Sequence, residues 1–247
     1  MSDKHDCDSS YDLSILPVKK DNVGINLRRP IHPMLPDATQ GANVIICSSV
    51  RSGKTNLLCN LLLNSNFYKD CFDEVYVISS TIHQDQTGRK LKESFPATCY
   101  DTFDEKKLLR ILDIQKSFTD EERPAIAIIL DDLGNHIKNR SPFWTLATNF
   151  RHYGIGLLIY SVQNFKQIPP ICRTQATNLL VGTNNGHQLK QMGEEYGDNF
   201  GGCDNFIDKH RICVPERFNF MYCRLDQYPC KIHRNFEEQV MYEDDEL

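Results

Sequence analysis

Four apolar residues, Val44-Ile45-Ile46-Cys47, break into Ser48-Ser49-Val50-Arg51-Ser52, and then Gly53-Lys54-Thr55-Asn56 opens the leucine-rich stretch 57–63. That order predicts a buried strand, a tight loop and a helix start, and it commits the chain to alternating strand and helix. Such a loop turns successive backbone N–H groups toward the positive end of the helix, where a polyphosphate is held. Ser48, Ser49, Val50, Arg51, Ser52, Gly53, Lys54, Thr55 and Asn56 are therefore the candidate nucleotide contacts. The Lys54 ammonium suits the outer phosphates, and the Thr55 hydroxyl suits Mg²⁺. The phosphate-loop pattern places glycine five residues before Gly53; here Ser48 stands there.

The remaining sequence is compatible with a folded α/β chain of 247 residues, 40% hydrophobic and 25% charged. No apolar run approaches the 18 or so residues needed to span a membrane, and the polar start Met1–Asp8 lacks the apolar stretch of a secretion signal. Ten cysteines are scattered without a Cys-x-x-Cys pair. They read as small buried hydrophobes; Cys203, Cys213, Cys223 and Cys230 with His210 and His233 match no usual zinc spacing. The net charge of −5 argues against a surface that binds polyanions everywhere. Residues 209–234 nevertheless hold six basic side chains against two acidic ones, and the tail from Asn235 holds six acids with no Lys or Arg. Segregation of this kind suits a solvated face or a nucleic-acid partner.

Three prolines (Pro30, Pro33, Pro36) predict an extended arm over 1–40. A core at 41–200 follows, with strands at 44–47, 74–79, 125–130, 155–162 and 178–181 and a short one near 98–101. Helices are expected from Lys54, over 104–118, over 141–152 with Ser141 as N-cap and Pro142 at the first position, and over 185–196. Strands separated by helices imply a parallel sheet covered on both faces. Residues 201–247 read as a C-terminal extension with a β-hairpin beginning at Phe218–Arg224, then the acidic tail.

The apolar strand 125–130 delivers Asp131-Asp132 at its end. Ligands of open parallel sheets sit beyond those ends, so Asp131 is placed to hold Mg²⁺ with Thr55, and Asp132 to activate water. The strand 155–162 ends in Gln163, whose amide can touch a terminal phosphate or its attacking water. Arg151, in Arg151-His152-Tyr153-Gly154-Ile155, and Arg173, in Ile168-Pro169-Pro170-Ile171-Cys172-Arg173, are candidates to stabilise charge on a neighbouring subunit's phosphate.

Taken in order, these motifs over residues 41–185 resemble the FtsK–HerA superfamily of P-loop ATPases, in the branch of genome-packaging ATPases of large DNA viruses and their virophages. The resemblance implies an α/β P-loop NTPase fold: a mainly parallel RecA/FtsK-like sheet with helices on both faces, carrying the N-terminal arm and a small C-terminal β element. It implies that strand 155–162 lies between strands 44–47 and 125–130, and that Gln163 is the sensor. Ser48–Thr55 become the Walker A loop and Asp131-Asp132 the Walker B pair, with Asp132 where many relatives carry Glu. Arg151 is then the first choice for the trans-acting arginine and Arg173 the second. The implied function is ATP hydrolysis driving double-stranded DNA into a capsid, with ATP and Mg²⁺ bound. The implied assembly is a homo-oligomeric ring (hexamer or pentamer), with a capsid or portal-vertex protein as partner, in the host cytoplasm or the virion. The basic loop Lys138-Asn139-Arg140 would touch the DNA backbone. Two other readings share the motifs: a nucleoside or nucleotide kinase, and a scaffold without turnover that binds DNA or capsid protein. No Asn-Lys-x-Asp or Leu-Ser-Gly-Gly-Gln motif is present to suggest a GTP switch or an ABC-type ATPase.

Overall fold

The computed structural model describes residues 24–84, 86–133 and 142–240. The polar N-terminus, the Lys138-Asn139-Arg140 loop, the Ser141 cap and the end of the acidic tail lie outside these residues. The elements run β1 (Ala42–Cys47), α1 (Lys54–Leu63), β2 (Glu74–Ser79), α2 (Gln86–Ser94), β3 (Cys99–Tyr100), α3 (Glu105–Lys116), β4 (Ile126–Asp131), α4 (Pro142–Asn149), β5 (Ile155–Val162), α5 (Pro170–Thr174), β6 (Asn178–Val181), α6 (Gly186–Tyr196), α7 (Cys203–Cys213), β7 (Met221–Arg224), β8 (Lys231–Arg234) and β9 (Glu238–Gln239).

All nine strands form one sheet in the order β3-β2-β4-β5-β1-β6-β7-β8-β9. The first six in that order are parallel, and β7, β8 and β9 continue the sheet antiparallel. β5 lies between β1 and β4, the position the family resemblance implied. Its register aligns Ser161 with Ile46 on one side and Asp131 on the other. β1, β4, β5 and β6 are buried at every residue, because both faces of a parallel sheet are covered and alternation has no polar side to report. Ile45, Ile128, Leu158 and Leu179 point into one core, beneath Leu108, Phe143, Leu189 and Phe206 from the helices. Val44, Ile129, Ile159 and Leu180 point into the other, against Leu58, Leu61, Leu62 and Leu91. Residues 24–40 carry no helix or strand, and they lay Leu35 and Ala38 into that second core. α3 begins on Asp104, whose side chain accepts from Lys106 N–H, and the capping oxygen satisfies one of the helix's free donors.

Three features depart from the sequence expectations. The C-terminal β element extends the main sheet through β6–β7 pairing. α2, α5 and α7 add helices that the apolar periodicity did not suggest. The strand expected from Phe218 starts only at Met221, because Phe218 has φ 75 and leaves the extended region.

Candidate active site

The phosphate loop hangs between two strand ends. Ser48 N–H donates to Val162 O at the tip of β5 (3.2 Å), and Ser49 N–H donates to Thr183 O just past β6 (2.9 Å). The Asn184 amide reaches back to Cys47 O (2.9 Å), pinning the end of β1. Ser48, standing at the pattern's first glycine, is buried and does not have positive φ. Its hydroxyl donates to Thr183 O at 3.1 Å. The small residue it displaces reappears opposite: a Cβ at Gly182 would meet Ser48 Oγ at 2.5 Å. The serine is thus accommodated by the neighbouring strand end and leaves the loop's backbone path open.

Arg51 (φ 59) and Gly53 (φ 97) turn the loop into α1. The first backbone bond of the helix runs from Leu57 N–H to Gly53 O at 2.9 Å. Among the described residues, no backbone–backbone bond outside the helices and strands has an N–H of Val50 to Asn56 as its donor, so this stretch presents donors at the N-terminus of α1. Lys54 folds over them, its Nζ donating to Ser48 O (2.8 Å) and Ser49 O (3.0 Å). Burial lowers the Lys54 pKa, while the nearby charges of Asp131, then Asp132, raise it again. Lysine and acids therefore share one electrostatic site.

Asp131, the last residue of β4, is 3% exposed and accepts the Ser79 hydroxyl at 2.8 Å. Burial raises its pKa, the Ser161 and Ser79 hydroxyls oppose that rise, and the Asp132 charge adds to it. Such a carboxylate favours either a proton or a cation. With the half-buried Thr55 it offers the hard oxygen donors that Mg²⁺ takes, so the residues present fit that ion. Asp132 leaves the strand at φ 54, its N–H bonded to Ser161 O (2.9 Å) and its carbonyl to the Ser80 hydroxyl (3.1 Å). Gln163 Nε2 donates to both Asp132 carboxylate oxygens, at 3.1 and 3.3 Å. The amide thereby faces the acid it was expected to work beside.

The two arginines lie elsewhere. Arg151 is exposed at the opposite end of the sheet, its Cγ 2.8 Å from where a Cβ on Gly41 would stand, just before β1. β1 separates it from its own phosphate loop. Arg173 is 6% exposed, ion-paired with Glu195, and its guanidinium lies 4.8 Å over the Phe165 ring. It braces α5 against α6. Sequence reasoning missed Ser79, at the tip of β2, and Ser80, Gly182, Thr183 and Asn184, just past strand ends, where the position alone was the available signal.

This fold and this loop define a P-loop NTPase architecture. No family profile matches the chain, and no curated protein matches its sequence. Among solved structures, the genome packaging NTPase B204 of Sulfolobus turreted icosahedral virus 2, in complex with ATP-gammaS, superposes with TM-score 0.53 at 15% identity, covering 79% of this chain and 97% of that one. The same protein in complex with sulfate gives TM-score 0.53 at 15% identity, with 80% and 98% covered. The DNA-packaging ATPase of Sulfolobus turreted icosahedral virus gives 0.52 at 17%, with 78% and 96% covered. At such identities the likeness establishes the fold. No described helix is long and apolar enough to cross a membrane.

Proposed function

We propose that this chain is an ATPase that drives double-stranded DNA into a viral capsid, working as a homo-oligomeric ring. The observation that carries the reading is the meeting of Lys54 with Asp131, Asp132 and Gln163 at one edge of the sheet, on a fold shared with the genome-packaging NTPase. The free N–H groups of the loop would hold the phosphates, and Lys54 would exchange its two carbonyl partners for phosphate oxygens. Mg²⁺, held by Thr55 and Asp131, would neutralise developing charge. Asp132 would take the proton of the attacking water once Gln163 releases it. Arg151, out of reach of its own loop, would serve the neighbouring subunit's site, which makes assembly a condition of full activity. A capsid or portal-vertex protein is the expected partner, in the host cytoplasm or the virion.

Phosphate release from ATP, followed with and without duplex DNA and paired with light scattering, tests the proposal. The expected result is free phosphate, a rate raised by DNA, a response that weakens steeply with salt, and a ring-sized species. A phosphorylated nucleoside as product would mean a kinase, and no turnover at all would mean a scaffold.

A further inference from the structure

The charged groups of the site all lie to one side of Lys54. Asp131, Asp132 and Gln163 stand at the tips of β4 and β5, whereas β6, β7 and β8 lie on the other side of β1. On that other side a cleft of about 280 Å³ opens between α1 and the segments just before β7 and just after β8, and Gly53 and Lys54 belong to its lining. Its walls are aromatic. Phe236 meets Phe67 edge-on at 5.7 Å and Phe220 edge-on at 5.0 Å, so this part of the cleft is held in place by its own ring contacts. Asn60 and Glu237 add a few polar groups to the lining.

Phe218 is the unusual member. It is 61% exposed, so burial does not account for it, and it has φ 75, a conformation that strains a bulky side chain. Its ring lies against the phosphate loop, 2.5 Å from where a Cβ on Gly53 would be, so only glycine there lets it approach. The adjoining Arg217 fastens the segment, its guanidinium donating to Arg51 O (Nε at 3.0 Å) and lying 5.0 Å over the Phe218 ring. A strained, exposed ring tied to the phosphate loop and facing an aromatic cleft has the form of a stacking platform.

We propose that this cleft is the nucleobase subsite and that Phe218 is its stacking residue, taking a purine with an exocyclic amine. The inference rests on the nucleotide reading above and adds the direction in which the nucleotide lies. The acids at β4 attract the metal-bound terminal phosphate, so the other end of the molecule must leave the loop toward β6–β8, where the aromatic walls are. The Glu237 carboxylate is an acceptor for the amine. Every base has a π-face, so stacking supplies affinity, and the wider purine ring covers more of the wall than a pyrimidine.

Calorimetric titration of the full chain with Mg²⁺ and either the non-hydrolysable analogue AMPPCP or inorganic tripolyphosphate, which has no base, tests this. The wild type is expected to bind AMPPCP about tenfold more tightly than tripolyphosphate. Phe218→Ala should weaken AMPPCP about tenfold and leave tripolyphosphate unchanged, and Phe218→Tyr should restore the wild-type value. Equal weakening of both ligands, no weakening, or tighter AMPPCP binding in Phe218→Ala would overturn the base subsite. Tripolyphosphate binding as tightly as AMPPCP to the wild type would do the same while leaving the phosphate loop intact. Failure of the wild type to bind either ligand would remove the nucleotide reading, and the subsite with it.

Discussion

The two ends of the parallel strands are built to opposite specifications. At the N-terminal end charge is matched: Arg28 pairs with Asp73 at 2.7 Å, Asp73 also accepts Ala125 N–H at 2.8 Å, and Arg29 satisfies the carbonyls of Lys69 and Ser65. The left-handed backbone there falls on Gly41, Gly154 and Asp70, which tolerate it. At the C-terminal end the loop offers backbone donors, Asp131 is buried without a direct ion pair among the described residues, and left-handed φ falls on Arg51 and Phe218 as well as on the tolerant Gly53 and Asp132. Unmatched charge and strained backbone persist where structure is arranged for something other than stability. Arg151, exposed and without a carboxylate partner among the described residues, interrupts the matched end.

The sharpest way to break this contrast is to remove Lys54. Lys54→Ala should lower ATP turnover by about a hundredfold or more in a phosphate-release assay, with the fold retained in circular dichroism. Wild-type turnover would dissolve the distinction between the two ends. The arginines provide the next test. Arg173→Ala removes a buried guanidinium and leaves the half-buried Glu195 with Lys166 alone, 3.6 Å away, and should cost about 2 kcal/mol in urea unfolding. Arg151→Ala should change stability by no more than about 0.5 kcal/mol yet depress turnover in the assembled protein. The reverse pattern would exchange their roles.

A smaller effect separates function from stability at Asp131. Its pKa is raised by folding, so the ionised form at neutral pH opposes the fold, and stability should grow as pH falls through the folded pKa. Asp131→Asn should therefore raise stability at pH 7 by about 1 kcal/mol while abolishing turnover. The smallest expected effect comes from His210, whose Nε2 lies 2.8 Å from Gly182 O behind the loop. Burial lowers its pKa from 6.5, and the Arg211 charge adds to that against the Gly182 bond. The folded state thus binds this proton less readily than the unfolded chain, and stability should fall as pH drops below about 6.5. His210→Gln should flatten that decline in urea unfolding from pH 7 to 5, leaving the part due to His233, whose pKa is also lowered by burial.

Much of this architecture was legible because parallel strands announce themselves. β2 and β6 have the boundaries that their apolar and β-branched runs suggested, and Lys54, Asp131, Asp132 and Gln163 could be assigned to strand or loop ends directly. α2 was not legible: it is polar, buries only Gly88 and Leu91, and its glycine reads as a helix breaker. In the fold Gly88 lets the helix lie against Ile82 O, which a Cβ would meet at 2.3 Å. The Arg173–Glu195 pair and the approach of Phe218 to Gly53 are contacts between distant segments, and no local pattern encodes them. Ser48 departs from the loop's glycine pattern, and Gly182, distant in sequence, leaves the space its hydroxyl takes.

A crystal structure of the protein with Mg²⁺ and ATP-gammaS tests the central claim most directly. The expected structure has the phosphates against the N–H groups of Arg51 to Asn56, Lys54 freed from Ser48 and Ser49, and the terminal phosphate on the side of Asp131 and Asp132. A nucleotide bound away from this loop, or Lys54 still bonded to the two carbonyls beneath it, would contradict the account.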